Sequence, residues 1–387
     1  MKTPLHAVAA GQLFDGLTMR EDMAVVINGE RIAAVIAHAD VPQTMPICEL
    51  PEGACLAPGL IDIQVNGGGD VLFNDQPTPE GVRAIVAAHR KLGTTALLPT
   101  LISDTPEKTT AALTAIEAVA ATAPGALGIH LEGPFLSPQK AGIHDPRFFR
   151  APTTDDLRAL AAPRKTATLV TLAPELVPDG FIEHLAAAGI RIALGHSMAT
   201  YAQTRAAMDR GLGGFTHLFN AMRPLDSREP GPIAAALESP QAWYGLLVDG
   251  IHVAPAMLRL ALRGAGKPIL VSDAMPPVGG SKSSFVLGDE TISVRSGRCA
   301  RGDGTLAGAH LDLATAVRNC VRLLDVPLGD ALRFASAHPA EFIGLGDTLG
   351  KIAPGFRADM VAFDAATLAV IDSWLLGMAA SLRPYHR

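Results

Sequence analysis

One rhythm in the middle of the chain restricts the fold more than any other feature. Short apolar runs recur, each separated from the next by an Ala/Leu-rich stretch or a loop. Eight such runs occupy residues 60–65, 95–99, 127–131, 168–172, 191–194, 214–217, 243–248 and 268–271. Several intervening segments, 79–92, 106–120, 154–161, 180–188 and 200–210, have the composition of helices. Strand–helix alternation repeated eight times over roughly 250 residues is the pattern of a (β/α)8 barrel of the TIM type, an α/β fold. The runs are predominantly apolar, as parallel strands covered on both faces should be. An open doubly wound sheet has the same local rhythm but normally advertises its ligand with one Gly-rich loop. Here polar residues end many of the runs, and the barrel is the better fit.

The two ends of the chain have a different character. Residues 23–27 and 31–36 flank the turn Asn28-Gly29-Glu30, an Asn-Gly step that predicts a β-hairpin. Near the other end, Gly350–Gly355 leads into a second β-rich run at 358–363. Residues 1–57 and 349–387 are therefore expected to build one small β-sandwich domain from both termini, around a barrel over 58–348. After the eighth run, the polar, Gly-rich segment 281–304 is read as a hairpin inserted over the barrel mouth.

Composition limits the partners. With 32 Lys+Arg against 38 Asp+Glu the net charge is −6, and no basic face for nucleic acid is expected. No uninterrupted apolar stretch reaches the ~18 residues of a membrane span. The opening Met1-Lys2-Thr3-Pro4-Leu5-His6 lacks the layout of an export signal. Four cysteines, none at C-x-x-C spacing, are expected as buried thiols in a reducing cytoplasm.

In a barrel of this kind the chemistry lies at the C-terminal ends of the strands. The third run ends in Leu131-Glu132-Gly133, the fifth in Gly195-His196-Ser197, the sixth in Thr216-His217-Leu218 and the eighth in Ser272-Asp273-Ala274. A single histidine at a strand end is ordinarily a satisfied loop or core residue. Four ionisable groups converging on one rim are not independent accidents. Glu132, His196 and His217 form a facial set for one divalent cation, with open positions for water and substrate. Asp273 then stands beside a cation-activated water as a proton acceptor. Gln64 and Asn66 alternate across Val65 and point to the same side. Neutral amides are poor ligands for a second cation, so one metal ion is expected. His130, two residues before Glu132, is expected in a barrel layer rather than on the metal.

The motifs are recognisable together. Pro58–Gly67, Leu131-Glu132-Gly133-Pro134-Phe135, Gly195-His196-Ser197, Thr216–Met222, Arg228-Glu229-Pro230-Gly231, Asp249-Gly250-Ile251-His252, Ser272-Asp273-Ala274 and Gly355–Asp359 run in order along nearly the whole chain. In this order and spacing the chain resembles the N-acetylglucosamine-6-phosphate deacetylases of the amidohydrolase superfamily. The resemblance implies hydrolysis of the acetamide of a phosphorylated amino sugar, with Glu132, His196 and His217 on the metal and Asp273 as proton shuttle. It implies that His144 polarises the acetamide carbonyl beside Ile143. Asn220 and Ala221 are implied at the sugar phosphate, with Arg228, Asp249 and His252 nearby and Leu306-Ala307-Gly308 as a lining loop. A homodimer is implied as well, because similar enzymes complete the phosphate grip from a neighbouring subunit. Zinc is the first expectation for the cation, and iron, manganese or cobalt also suit two imidazoles and a carboxylate. The same machinery could serve a galactosamine epimer or a cyclic amide. A scaffold that has lost catalysis would not be expected to keep all four rim residues.

Overall fold

The protein was analysed as a computed structural model, which describes residues 5–381. Eight parallel strands form the central sheet: Leu60–Val65, Thr94–Ile102, Gly128–Glu132, Ala167–Leu172, Arg191–Leu194, Gly214–Phe215, Trp243–Leu246 and Lys267–Leu270. These are the eight predicted runs, and each pairs with the next in chain order. The ring is joined beyond the last strand. Val65 bridges Ala274, and the Asp273 backbone N–H donates to Gln64 O at 3.0 Å. At the same seam the Asp62 side chain replaces part of the ladder, its Oδ1 accepting from the Gln64 and Ser272 backbone N–H groups at 3.2 and 3.3 Å.

Burial explains the unbroken apolar runs. Inside the barrel, Ile61, Ile63, Leu98, Leu169, Ala193 and Ile269 pack together. Alternate residues such as Leu60, Leu97, Leu131 and Leu194 face the outer helices. Apart from exposed first residues such as Arg191 and Lys267, the strands are covered on both faces. The helices begin where a hydroxyl can accept an orphan backbone N–H. Thr78 and Thr105 cap Pro79–Arg90 and Pro106–Val119, and each cap is followed by a proline at a position that needs no N–H. Thr153 and Thr200 open capping boxes with Asp156 and Gln203. Among the described residues, no helix is long and apolar enough to cross a membrane.

Strands from the two ends of the chain do combine. They form one eight-stranded, mostly antiparallel hydrogen-bonded sheet in which Met360–Asp364 pairs with Ala54–Pro58. The segment after the eighth barrel strand is also more than a hairpin. It is a four-stranded antiparallel sheet: Ser284–Leu287, Glu290–Arg295, Arg298–Ala300 and Leu306–Ala309. Its last strand bridges back through Ala309 to Ala274. Gly308 sits at that junction with φ +60, and a Cβ there would lie 2.6 Å from Met275, so only glycine lets this flap approach the strand-8 end so closely.

Candidate active site

Glu132, His196, His217 and Asp273 leave barrel strands 3, 5, 6 and 8 at the same rim and line one cleft of about 300 Å³. Three of the four adopt the left-handed backbone conformation: His196 at φ 48, His217 at φ 31 and Asp273 at φ 51. Non-glycine residues held there cost about 1–3 kcal/mol each, and such strain gathers at functional sites. The left-handed turn at each strand end redirects the chain and leaves the side chain on the rim.

The donor atoms lie close together. His196 Nε2 and His217 Nε2 are 3.0 and 3.1 Å from Glu132 Oε1 and 3.2 Å from each other. His196 Nδ1 donates to the Lys140 carbonyl at 2.7 Å, which leaves Nε2 with a lone pair aimed at a carboxylate oxygen. Two acceptors in contact need a proton or a cation between them. Ligands held about 2.0–2.1 Å from a tetrahedral ion stand roughly 3.3 Å apart, so this triad fits a divalent cation.

The electrostatics match the crowding. Burial pushes the Glu132 carboxyl up, but the neighbouring imidazoles of His144, His196 and His217 outweigh it and hold the group well below its ordinary range. Burial, reinforced by the neighbouring His144, lowers His196 to about 4. Burial also acts against charge on His217, yet its hydrogen bond to Glu132 wins and raises it. Asp273 is pushed up by burial and by the charge on Glu132.

His144 stands beside the triad, its ring centroid 4.4 Å from that of His196 and its Nε2 3.8 Å from Glu132 Oε1. The Ser103 backbone N–H donates to His144 Nδ1 at 3.3 Å. Nδ1 must then be an acceptor, and the ring proton sits on Nε2, facing the cleft. Gln64 and Asn66 point at the carboxylates: Asn66 Nδ2 donates to Asp273 Oδ1 at 2.6 Å. His130 lies in the layer below, its ring bonded to Thr171 at 2.7 Å and Thr100 at 3.4 Å, away from the triad.

The expected substrate residues divide into two groups. Ile143, His144, Asn220, Ala221, His252, Leu306 and Gly308 line the cleft. Asp249 stands one step behind: its Oδ2 accepts from His252 Nδ1 at 2.6 Å while Oδ1 accepts two backbone N–H groups, so it orients the imidazole. Ala307 is fully buried on the opposite face of its strand, among Leu72, Met275 and Cys299. Arg228 does not reach the cleft of its own chain. It is exposed on a loop whose turn is closed by Asp226 accepting the Arg228 N–H. Among the described residues, no arginine lines the cleft.

Two residues that orient the site were not singled out from sequence. Ser103 immediately follows strand 2, and the strand-end rule points to it. Lys140 acts through its carbonyl, which carries no side-chain signal at all.

Residues 55–381 match the amidohydrolase family model. The chain belongs to the amidohydrolase family. Among curated amidohydrolase relatives, it is 42% identical over 336 residues to an N-acetylgalactosamine-6-phosphate deacetylase of Shewanella sp. (strain ANA-3), covering 86% of this chain and 84% of that protein. It is 35% identical over 347 residues to an N-acetylglucosamine-6-phosphate deacetylase of Haemophilus influenzae, covering 88% and 91%. The crystal structure of N-acetylglucosamine-6-phosphate deacetylase from Pasteurella multocida superposes with a TM-score of 0.94 at 32% identity, over 98% of this chain and all of that one. The barrel and the terminal sheet are thus the shared amidohydrolase architecture.

Proposed function

We propose that this amidohydrolase removes the acetyl group of N-acetylglucosamine 6-phosphate, giving glucosamine 6-phosphate and acetate. The observation that carries the reading is the convergence of three metal-suited donors, a proton-accepting carboxylate and an oriented imidazole N–H on one small cleft. A divalent cation held by Glu132, His196 and His217 would lower the pKa of a water and polarise the acetamide carbonyl; zinc suits these donors, as do iron, manganese and cobalt. His144 Nε2–H is placed to donate to the carbonyl oxygen as negative charge develops there. Asp273 takes a proton from the attacking water. As the water oxygen bonds to the carbonyl carbon, the C–N bond breaks with its electron pair on nitrogen, and Asp273 returns the proton to that nitrogen.

The other end of the cleft suits the phosphate. Asn220 and Ala221 offer polar contacts, and His252, fixed by Asp249, offers a ring nitrogen. Ile143, Leu306 and Gly308 close over the sugar, with Ala307 anchoring their strand from behind. An arginine fork suits a phosphate, and the exposed position of Arg228 fits a homodimer in which it enters the partner's cleft. Four buried cysteines, none at C-x-x-C spacing, fit a reducing cytoplasm.

A second reading keeps the chemistry and changes the epimer. The Shewanella relative at 42% identity is named for the galactosamine sugar, so N-acetylgalactosamine 6-phosphate is the alternative substrate. Acetate release from both phosphorylated epimers and from unphosphorylated N-acetylglucosamine tests both readings. The expected result is the highest kcat/KM for N-acetylglucosamine 6-phosphate, and a loss of ~10²-fold or more without the phosphate, the scale of one or two charged hydrogen bonds. A preference for the galactosamine ester moves the assignment to the second reading. No release from either ester overturns the function.

A further inference from the structure

We propose that Gln64 and Asn66 are positioning residues: an amide clamp that saturates Asp273 Oδ1, leaves Oδ2 as the atom that carries the proton, and stands where a second, bridging cation would otherwise be needed. The inference rests on the proton-carrying role proposed for Asp273. Its own support is geometric. Asn66 Nδ2 donates to Asp273 Oδ1 at 2.6 Å. Gln64 Nε2 lies 3.2 Å from the same oxygen and 3.3 Å from Glu132 Oε2, so its two N–H bonds reach one carboxylate each. Gln64 and Asn66 are 2% and 3% exposed, and neither can turn away to solvent.

Two carboxylates side by side in a dry cleft repel each other, and something positive has to lie between them. A cation can do this, and so can a pair of N–H dipoles. The Gln64 amide takes that place without adding charge. The clamp also selects an oxygen. A proton arriving on Oδ1 would point at two N–H donors that already fill its lone pairs, whereas a proton on Oδ2 leaves both hydrogen bonds intact. A carboxylate that takes and returns its proton through one fixed oxygen needs no rotation between the two transfers. The first-strand amides thereby act through Asp273 without touching the reacting atoms.

Two variants test this. Asn66→Leu keeps the shape and deletes the donor; kcat should fall ~10–100-fold, the usual cost of losing an orienting partner. KM and the cation content by elemental analysis should stay at the wild-type level, and Asn66→Ser, which restores a donor, should recover part of the rate. An unchanged kcat, or a rate loss that simply follows loss of the cation, overturns the clamp. Gln64→Glu places a third carboxylate against the other two. With zinc added as the probe, it should bind one more cation per chain than wild type, and an unchanged cation count overturns the stand-in role. A wild-type protein that releases no acetate from either amino sugar phosphate sinks the function and the rate argument together, while the zinc count still decides the electrostatic part.

Discussion

The two ends of the cleft are built differently. At the cation end three of the working groups are oriented by a neighbour in the same chain. Lys140 O fixes His196, Ser103 N–H fixes His144, and Asn66 fixes Asp273. At the other end His252 is held by Asp249, but the arginine expected beside it lies on an exposed loop outside the cleft. On the proposed reading, the reacting half is thus preorganised within one chain, whereas the recognising half looks outward. Reaction geometry tolerates little misplacement, and local hydrogen bonds supply that rigidity. A phosphate far from the scissile bond can be gripped by a group that arrives from elsewhere.

That contrast can be broken most severely at the cation end. His196→Ala removes one of three donors; the purified variant should carry almost no bound divalent metal and lose turnover to background, and near-stoichiometric metal would refute the triad. Asp273→Asn is a cleaner cut. It should keep the cation while lowering kcat ~10²–10⁴-fold, the range for a lost acid–base group. Near-wild-type turnover would remove Asp273 from the proton path.

The phosphate end sharpens the comparison through subunit mixing. His252→Ala and Arg228→Ala should each raise KM by ~10–100-fold for the phosphorylated sugar, as lost charged hydrogen bonds do, with a smaller effect on kcat. If Arg228 serves the partner's cleft, a dimer of one variant chain of each kind contains one intact site. Co-expressing or mixing the two weak variants should then restore about a quarter of wild-type activity, since half the dimers are mixed and each has one good site of two. No recovery in demonstrably mixed dimers would place Arg228 outside the phosphate grip.

How much of this was readable in advance follows the same divide. All eight barrel strands announce themselves, because strands buried on both faces are made mostly of apolar residues. The four rim residues follow directly, since the barrel rule names the end of each strand as the place to look. The loop residues are another matter. Ala307 lies in the same short motif as Leu306 and Gly308, but alternation along a strand sends it to the opposite face, and motif membership alone does not resolve that. Arg228 sits in a motif as recognisable as that of His252, yet nothing local places it in its own chain's cleft. The flap was readable as β structure but not as four strands, because its Gly-rich turns do not announce where pairing resumes. Carbonyl contacts such as that of Lys140 lie beyond any reading of side-chain types.

The smallest expected effect concerns the seam that supports the cation end, and it is read in stability rather than rate. Asp62 is fully buried where strand 1 meets the segment after strand 8, and among the described residues its Oδ2 has no hydrogen-bond partner. Burial pushes its carboxyl up to about 7, against the pull of hydrogen bonds from Ser272 and Gln64. The folded protein therefore holds a proton on this group across the interval between the unfolded value of 3.8 and about 7, where the unfolded chain has already released it. Stability must then fall as pH rises through that interval, by up to ~4 kcal/mol in total. Asp62→Asn keeps the acceptor oxygen for the two backbone N–H groups and removes the titration. Denaturant unfolding at pH 5 and pH 8 should show a larger loss for wild type than for the variant. Equal losses would mean that the seam is held by an ionised carboxylate, and that the cation end tolerates a buried charge directly beneath it.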